Sequence, residues 1–372
     1  MGIEISKMCT KTKEMPSTDV SSFVSHLQKS KRIVALLGAG LSASSGLPTF
    51  RGAGGFWRTR DATMLATPQA FRADPGLVWQ FYSYRRHMAL NATPNRAHLA
   101  LAELARRNPN FITLSQNVDG LSPRAKHPAE QLKLLHGNLF DLKCWDQHRC
   151  GYFSPNDFTD PIVPALAIPE DQEAAKASIG RAKKEPVDSA MLEAHIAKKG
   201  GIIKGDGEDS SEMIVPTKKG PKVTGDAEVV LETPRHALIK GADISNISVP
   251  VPTIEKEDLP QCPKCKKNLL RPGVVWFGES LPEKVTESVE NYFGEPEKID
   301  LMLVIGTSSK VYPAAGYTEL ARQRGARVAV INMNPSDAKS LGSQDWLFEG
   351  DAAEIVPDIL KSVIGETKEF EP

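Results

Sequence analysis

The stretch from Lys31 ends in five consecutive apolar residues, Ile33-Val34-Ala35-Leu36-Leu37, and stops at Gly38. A strand that faced water on one side would alternate apolar and polar residues, so this run needs cover on both faces. Similar runs occur at Phe111–Leu114, Gln131–Leu135, Ile299–Ile305 and Arg327–Ile331. Helical patterns lie among them at Pro75–Met88, Pro94–Arg107, Pro313–Arg324 and Ala352–Leu360, with Pro94 and Pro313 expected in the first turns of their helices. Strands alternating with helices specify a parallel, doubly wound α/β sheet. Such sheets take ligands outside the carboxyl ends of their strands.

Composition narrows the function. The 372 residues are 40% hydrophobic and 25% charged, and 46 Lys+Arg balance 46 Asp+Glu. Binding nucleic acid through a diffuse basic surface needs clustered cations, which this balance opposes. No run of 18 apolar residues is present, so no membrane-spanning helix is expected. The 100 residues from Pro161 to Pro260 contain no Phe, Trp, Tyr or Cys, while holding 10 of the 27 prolines. Without aromatic area a segment struggles to offset its chain entropy, so 161–260 is expected to be a largely disordered insertion, with a short helix at Asp188–Lys198. Residues 1–16 and 366–372 are expected to be tails.

Gly38-Ala39-Gly40-Leu41-Ser42-Ala43 fits G-x-G-x-x-G/A directly after the first run. Glycines there permit a tight turn and close approach of backbone N–H groups to a pyrophosphate. The acid expected about 20 residues later at a second strand's end has no strand to end, because Asp61 lies in polar sequence. A nicotinamide dehydrogenase is therefore disfavoured.

The glycine turn with Ser42, followed by Gly46-Leu47-Pro48-Thr49-Phe50-Arg51-Gly52, resembles the NAD loop of sirtuins. Ser115-Gln116-Asn117-Val118-Asp119-Gly120-Leu121, Leu135-His136-Gly137, Gly306-Thr307-Ser308 and Ile331-Asn332 match the family's other motifs in order. The resemblance spans about residues 20–150 and 262–365. It implies a Rossmann-like fold (residues 17–143 and 273–365) with NAD as cosubstrate, and transfer of an acyl group from lysine to ADP-ribose. It implies His136 as the general base for a ribose hydroxyl, suitable because histidine titrates near neutrality. Asn117 and Asp119 share one side of an extended segment, and the resemblance assigns them the nicotinamide end and Gln116 the ribose. It further assigns Phe50 to shield the reactive ribose carbon, Arg51 to the phosphates, and Gly306, Thr307 and Ser308 to ribose and phosphate. Asn332 would take the adenosine ribose, with Gly38, Ala39, Gly40, Ser42, Thr49, Trp57, Asn334 and Ala352 completing the cofactor set.

Cys144 and Cys150 are separated by five residues, and Cys262 and Cys265 form C-x-x-C. Four thiolates can close a structural zinc site, expected in a small module of residues 144–160 and 261–272. The first pair is wider than the family's usual C-x-x-C, leaving His148 as a competitor to Cys150.

Tyr82 and Arg85 share a helix face at i, i+3, where a phenol and a guanidinium can hold a carboxylate. An amphipathic helix with solvated arginines explains the same spacing. Tyr-x-x-Arg resembles the class III sirtuins, which implies succinyl-, malonyl- or glutaryl-lysine substrates. Val275-Trp276-Phe277-Gly278-Glu279 also looks like that class, and implies strand pairing with the substrate backbone. Rival readings are a deacetylase or ADP-ribosyltransferase of the same family, and a non-catalytic zinc-ribbon chromatin-binding protein. A monomer acting on acyl-lysine proteins is expected. The resemblance suggests a mitochondrial location, with cytoplasm or nucleus as alternatives because the N-terminus carries no convincing presequence.

Overall fold

The computed structural model describes residues 15–49, 55–171, 174–176, 241–338 and 341–366. Six parallel strands make the central sheet, in the spatial order Trp346–Glu349, Arg327–Asn332, Leu301–Ile305, Ile33–Leu37, Phe111–Ser115 and Leu132–Leu134. Ile33–Leu37 pairs in register with Phe111–Ser115 on one side and Leu301–Ile305 on the other. Its alternate residues enter different cores, as the pleat requires. Ile33, Ala35 and Leu37 pack with the helices Val20–Leu27, Arg96–Arg107 and Ala352–Ile364. Val34 and Leu36 pack with Glu283–Gly294 and Gly316–Gln323. From the first strand the chain winds to one side, then returns and winds to the other. The order thus reverses beside Ile33–Leu37, and a crevice opens at its carboxyl end, where the glycine turn begins.

The apolar runs all form strands, but two helix starts differ from expectation. Arg96–Arg107 begins after Asn95, whose side chain accepts from the N–H groups of Ala97 and His98, so Pro94 lies outside the helix. A side-chain cap satisfies orphan donors that proline cannot address. Pro313 follows a cis bond, and its helix starts only at Gly316. The edge strand Trp346–Glu349 is too short for periodicity to single out.

A second unit packs beside the sheet. Phe153–Ser154, Gly137–Cys144 and Leu270–Val274 form an antiparallel sheet, covered by Pro68–Ala73 and Pro75–Asn91. Both ends of the aromatic-free stretch join this core, a departure from expectation confined to residues 161–171, 174–176 and 241–260 among the described residues. Leu166, Ile244, Val249 and Leu259 are buried in it. The host supplies the aromatic area, including Trp79, Phe81 and Tyr84, so these ends need only aliphatic side chains. Host side chains also grip their backbone. Arg58 donates to the carbonyls of Ile244 and Val249, Ser83 to that of Leu166, and Gln80 to that of Pro252. The expected helix at Asp188–Lys198 lies outside the described residues.

Candidate functional site

Two glycine turns interlock at the crevice. Gly38 donates to the Ile305 carbonyl and Gly40 to the Gly306 carbonyl, at 2.9 and 2.8 Å. A Cβ on Gly40 would lie 2.7 Å from the Gly306 Cα, and one on Gly38 2.5 Å from the Thr307 Cβ. These glycines are therefore required first by the neighbouring turn, a reason beyond pyrophosphate approach. Gly306 itself has φ +61° and faces the Leu41 backbone.

Around the interlock stand the polar side chains expected there. Gln116 donates to the Thr307 hydroxyl at 3.0 Å, and Asn332 to the Thr307 carbonyl at 3.0 Å. The Asn117 amide donates to the Gly38 carbonyl at 3.0 Å and contacts the Ser42 hydroxyl at 3.4 Å. Ser42 donates to Asp119 at 2.7 Å, while the other Asp119 oxygen accepts from the Leu121 N–H. Asp119 is thereby held at the start of the helix Leu121–Arg124. Ser308 and Thr49 are half-buried, Asn334 is exposed, and Ala352 opens the last helix under its Asp351 cap.

His136 ends the strand side of this group. Its Nδ1 lies 3.1 Å from the Gln116 carbonyl, so Nδ1 carries the proton and Nε2 presents its lone pair. Burial lowers the His136 pKa, partly opposed by that backbone bond. The imidazole is thus neutral near pH 7, as a general base requires.

Not every expected residue joins the crevice. Trp57 is buried in the second unit against Phe81, with ring centroids 5.8 Å apart. Phe50 and Arg51 lie outside the described residues. One participant was missed: the buried His98, whose Nε2 is 3.4 Å from the Ser42 hydroxyl. Burial lowers its pKa to about 4 against the opposing pull of Asp119. Its only sequence signal is Asn95-x-x-His98 ahead of an amphipathic helix, which reads as a cap.

Residues 38–162 and 240–313, which carry the interlocked glycine turns, His136 and the four cysteines, match the model of the Sir2 family. The chain belongs to the Sir2 family. An NAD-dependent protein deacylase from Candida albicans is 42% identical to it, with 93% of this chain and 98% of that protein aligned. NAD-dependent protein deacylase sirtuin-5, mitochondrial, from Danio rerio is 35% identical over 93% of this chain and 88% of that protein. The solved complex of a Sir2 homologue with NAD superimposes with a TM-score of 0.60 at 26% identity, covering 94% of this chain and 96% of that one.

In this Sir2-family chain the four cysteines converge, with Sγ atoms all within 4.8 Å of one another. Cys144 and Cys265 are 3.9 Å apart and Cys150 and Cys262 are 3.6 Å apart. A tetrahedral ion with zinc–thiolate distances of about 2.3 Å spaces its sulfurs about 3.8 Å apart, so the cluster fits. The wide first spacing is closed by one helical turn, Gln147–Cys150, capped by Asp146. That turn sends Cys150 inward and leaves His148 exposed and outside the cluster.

The helix Pro75–Asn91 carries Tyr82 into the second unit's core and leaves Arg85 half-buried one turn on. The Tyr82 oxygen accepts from the Trp276 indole N–H at 2.8 Å. Burial pushes the Tyr82 phenol well above its usual range, more than the nearby Arg85 charge lowers it. Arg85 lies over the Phe81 ring at 5.5 Å, and burial lowers its pKa while Tyr82 and Asp119 oppose this. The guanidinium remains charged. After Val274 the chain continues alongside His136, with the Val275 N–H donating to the His136 carbonyl at 2.9 Å. Exposure then alternates: Val275 and Phe277 are half-buried, Trp276 is buried and Gly278 is open. Glu279 folds back onto Arg271 and is already paired. Among the described residues no helix is long and apolar enough to cross a membrane.

Proposed function

We propose that the protein is an NAD-dependent protein-lysine deacylase that removes succinyl, malonyl or glutaryl groups and releases nicotinamide and O-acyl-ADP-ribose. The observation that carries the acyl preference is a phenol and a guanidinium one helical turn apart on the helix Pro75–Asn91, the first buried and the second half-buried. Tyr82 has spent an acceptor position on Trp276, so its own proton remains to be donated. A half-buried guanidinium beside such a donor suits a carboxylate at the end of an acyl chain, whereas an acetyl group brings no charge to it.

Bound NAD supplies the electrophilic ribose carbon and the nicotinamide leaving group. The chain's own residues would do the rest. Asn117 and Asp119 would hold the nicotinamide end, and Gln116, Thr307, Ser308 and Asn332 the riboses and phosphates. His136 Nε2 would accept a proton from a ribose hydroxyl, with the Gln116 carbonyl fixing the tautomer. Val275–Glu279 would pair with the substrate backbone. Zinc is proposed for the four thiolates, where it would tie Gly137–Cys144 to Leu270–Val274. It would take no part in the chemistry, since a site closed by four thiolates leaves no position for water. A mitochondrial location rests on the names of relatives such as the Danio rerio protein.

A panel of succinyl, malonyl, glutaryl and acetyl peptides, assayed for nicotinamide release with NAD, tests this reading. Higher kcat/KM for the acidic acyl groups supports it. Equal or higher kcat/KM for the acetyl peptide refutes the acyl preference.

A further inference from the structure

Tyr82 does not reach its position alone. Its hydroxyl is buried, and its oxygen accepts from the indole N–H of Trp276. The indole is in turn clamped. The Arg271 guanidinium lies over it at 3.3 Å from the ring centroid. Glu279 closes the loop, accepting from Arg271 at 2.9 Å and from the Trp276 backbone N–H at 2.9 Å. Phe71 packs on the same indole at 5.3 Å and Trp145 at 6.3 Å. The indole plane therefore has little freedom, and its N–H is aimed at one oxygen.

We propose that Trp276 is a positioning residue for acyl selectivity: clamped by Arg271 and Glu279, it donates to the Tyr82 oxygen and so turns the Tyr82 proton toward the carboxylate of the acyl chain. The inference rests on the anionic-acyl reading above and adds a group to it. A phenol oxygen that accepts one hydrogen bond becomes a better donor of its own, because bonds in series polarise one another. Steric filling by an aromatic ring would not have this property. Removing the indole nitrogen while keeping an aromatic ring separates the two roles.

The test compares wild type, Trp276→Phe, Tyr82→Phe and the double variant on succinyl and acetyl peptides. The expected result is a fall of about tenfold in the succinyl-to-acetyl ratio of kcat/KM for Trp276→Phe, carried by KM for the succinyl peptide, the size of one hydrogen bond to a charged group. In the Tyr82→Phe background the same change should have little further effect on the ratio, since the oxygen it acts through is gone. Any packing loss from the smaller ring lowers both activities and cancels in the ratio. An equal fall for both peptides, or a full additional fall in the double variant, overturns the proposal. A wild type without preference for the acidic group overturns the functional reading, and this inference with it. A wild-type preference that Trp276→Phe leaves intact overturns the inference alone.

Discussion

Arg58 offers a quantitative test of how the aromatic-free stretch is held. Its Nη1 donates to the carbonyls of Ile244, Asn246 and Val249 at 3.0, 3.2 and 2.8 Å, and its Nη2 to Ile247 at 3.2 Å. The bonds to Asn246 and Ile247 are exposed, so water replaces them at little cost. Those to Ile244 and Val249 are partly buried, and losing both costs about 2–3 kcal/mol. The backbone sets an opposing cost, because Arg58 sits at φ 57°, in the left-handed region. Arg58→Ala should therefore lose the bonds and keep the strain, while Arg58→Gly loses the bonds and regains about 1 kcal/mol. Hydrogen exchange of the 243–249 segment reads this directly, since the Val249 amide is bonded locally, to Asn246. A loss of 2–3 kcal/mol appears as exchange about 30- to 150-fold faster in Arg58→Ala, with Arg58→Gly intermediate between it and wild type. Unchanged protection in Arg58→Ala, or a glycine variant less protected than the alanine one, would refute the reasoning.

Arg85→Met should lower desuccinylation by about 2–5 kcal/mol in transition-state terms while changing deacetylation far less, and peptide kinetics measure both. Because burial lowers the His136 pKa, its neutral form persists below the ordinary histidine range. The acidic limb of kcat/KM should therefore fall below about pH 6.5, and His136→Ala should abolish nicotinamide release with acyl transfer. Cys150→Ser should reduce bound zinc below one ion per chain and lower the melting temperature, while His148→Ala should keep the full complement by metal analysis. Zinc loss from the His148 variant would reopen the ligand assignment.

Much of this was legible in the chain because it is local. A strand buried on both faces must be apolar at every position, and Ile33–Leu37 and Leu301–Ile305 announce themselves in that way. A turn that approaches another backbone must be glycine, so Gly38, Gly40 and Gly306 stand out. The roles of His98, Arg58 and Arg271 could not be read. Each acts on residues beyond its own turn of chain: Arg58 on 244–249, Arg271 on Glu279 and Trp276, His98 on Ser42. Isolated polar residues carry no periodicity, so nothing local marks them.

Residue order by itself determined the winding of the sheet, the crevice and most of its polar residues, and the two cysteine pairs, since each follows from patterns a few residues long. Tertiary structure decided the rest. It chose Cys150 over His148 by one helical turn, and gave Tyr82 the partner that leaves its proton to donate. It also drew the ends of 161–260 into a core they could not build alone. The physical reason is common to all three: burial is a property of neighbours, and those neighbours come together only when the chain is folded.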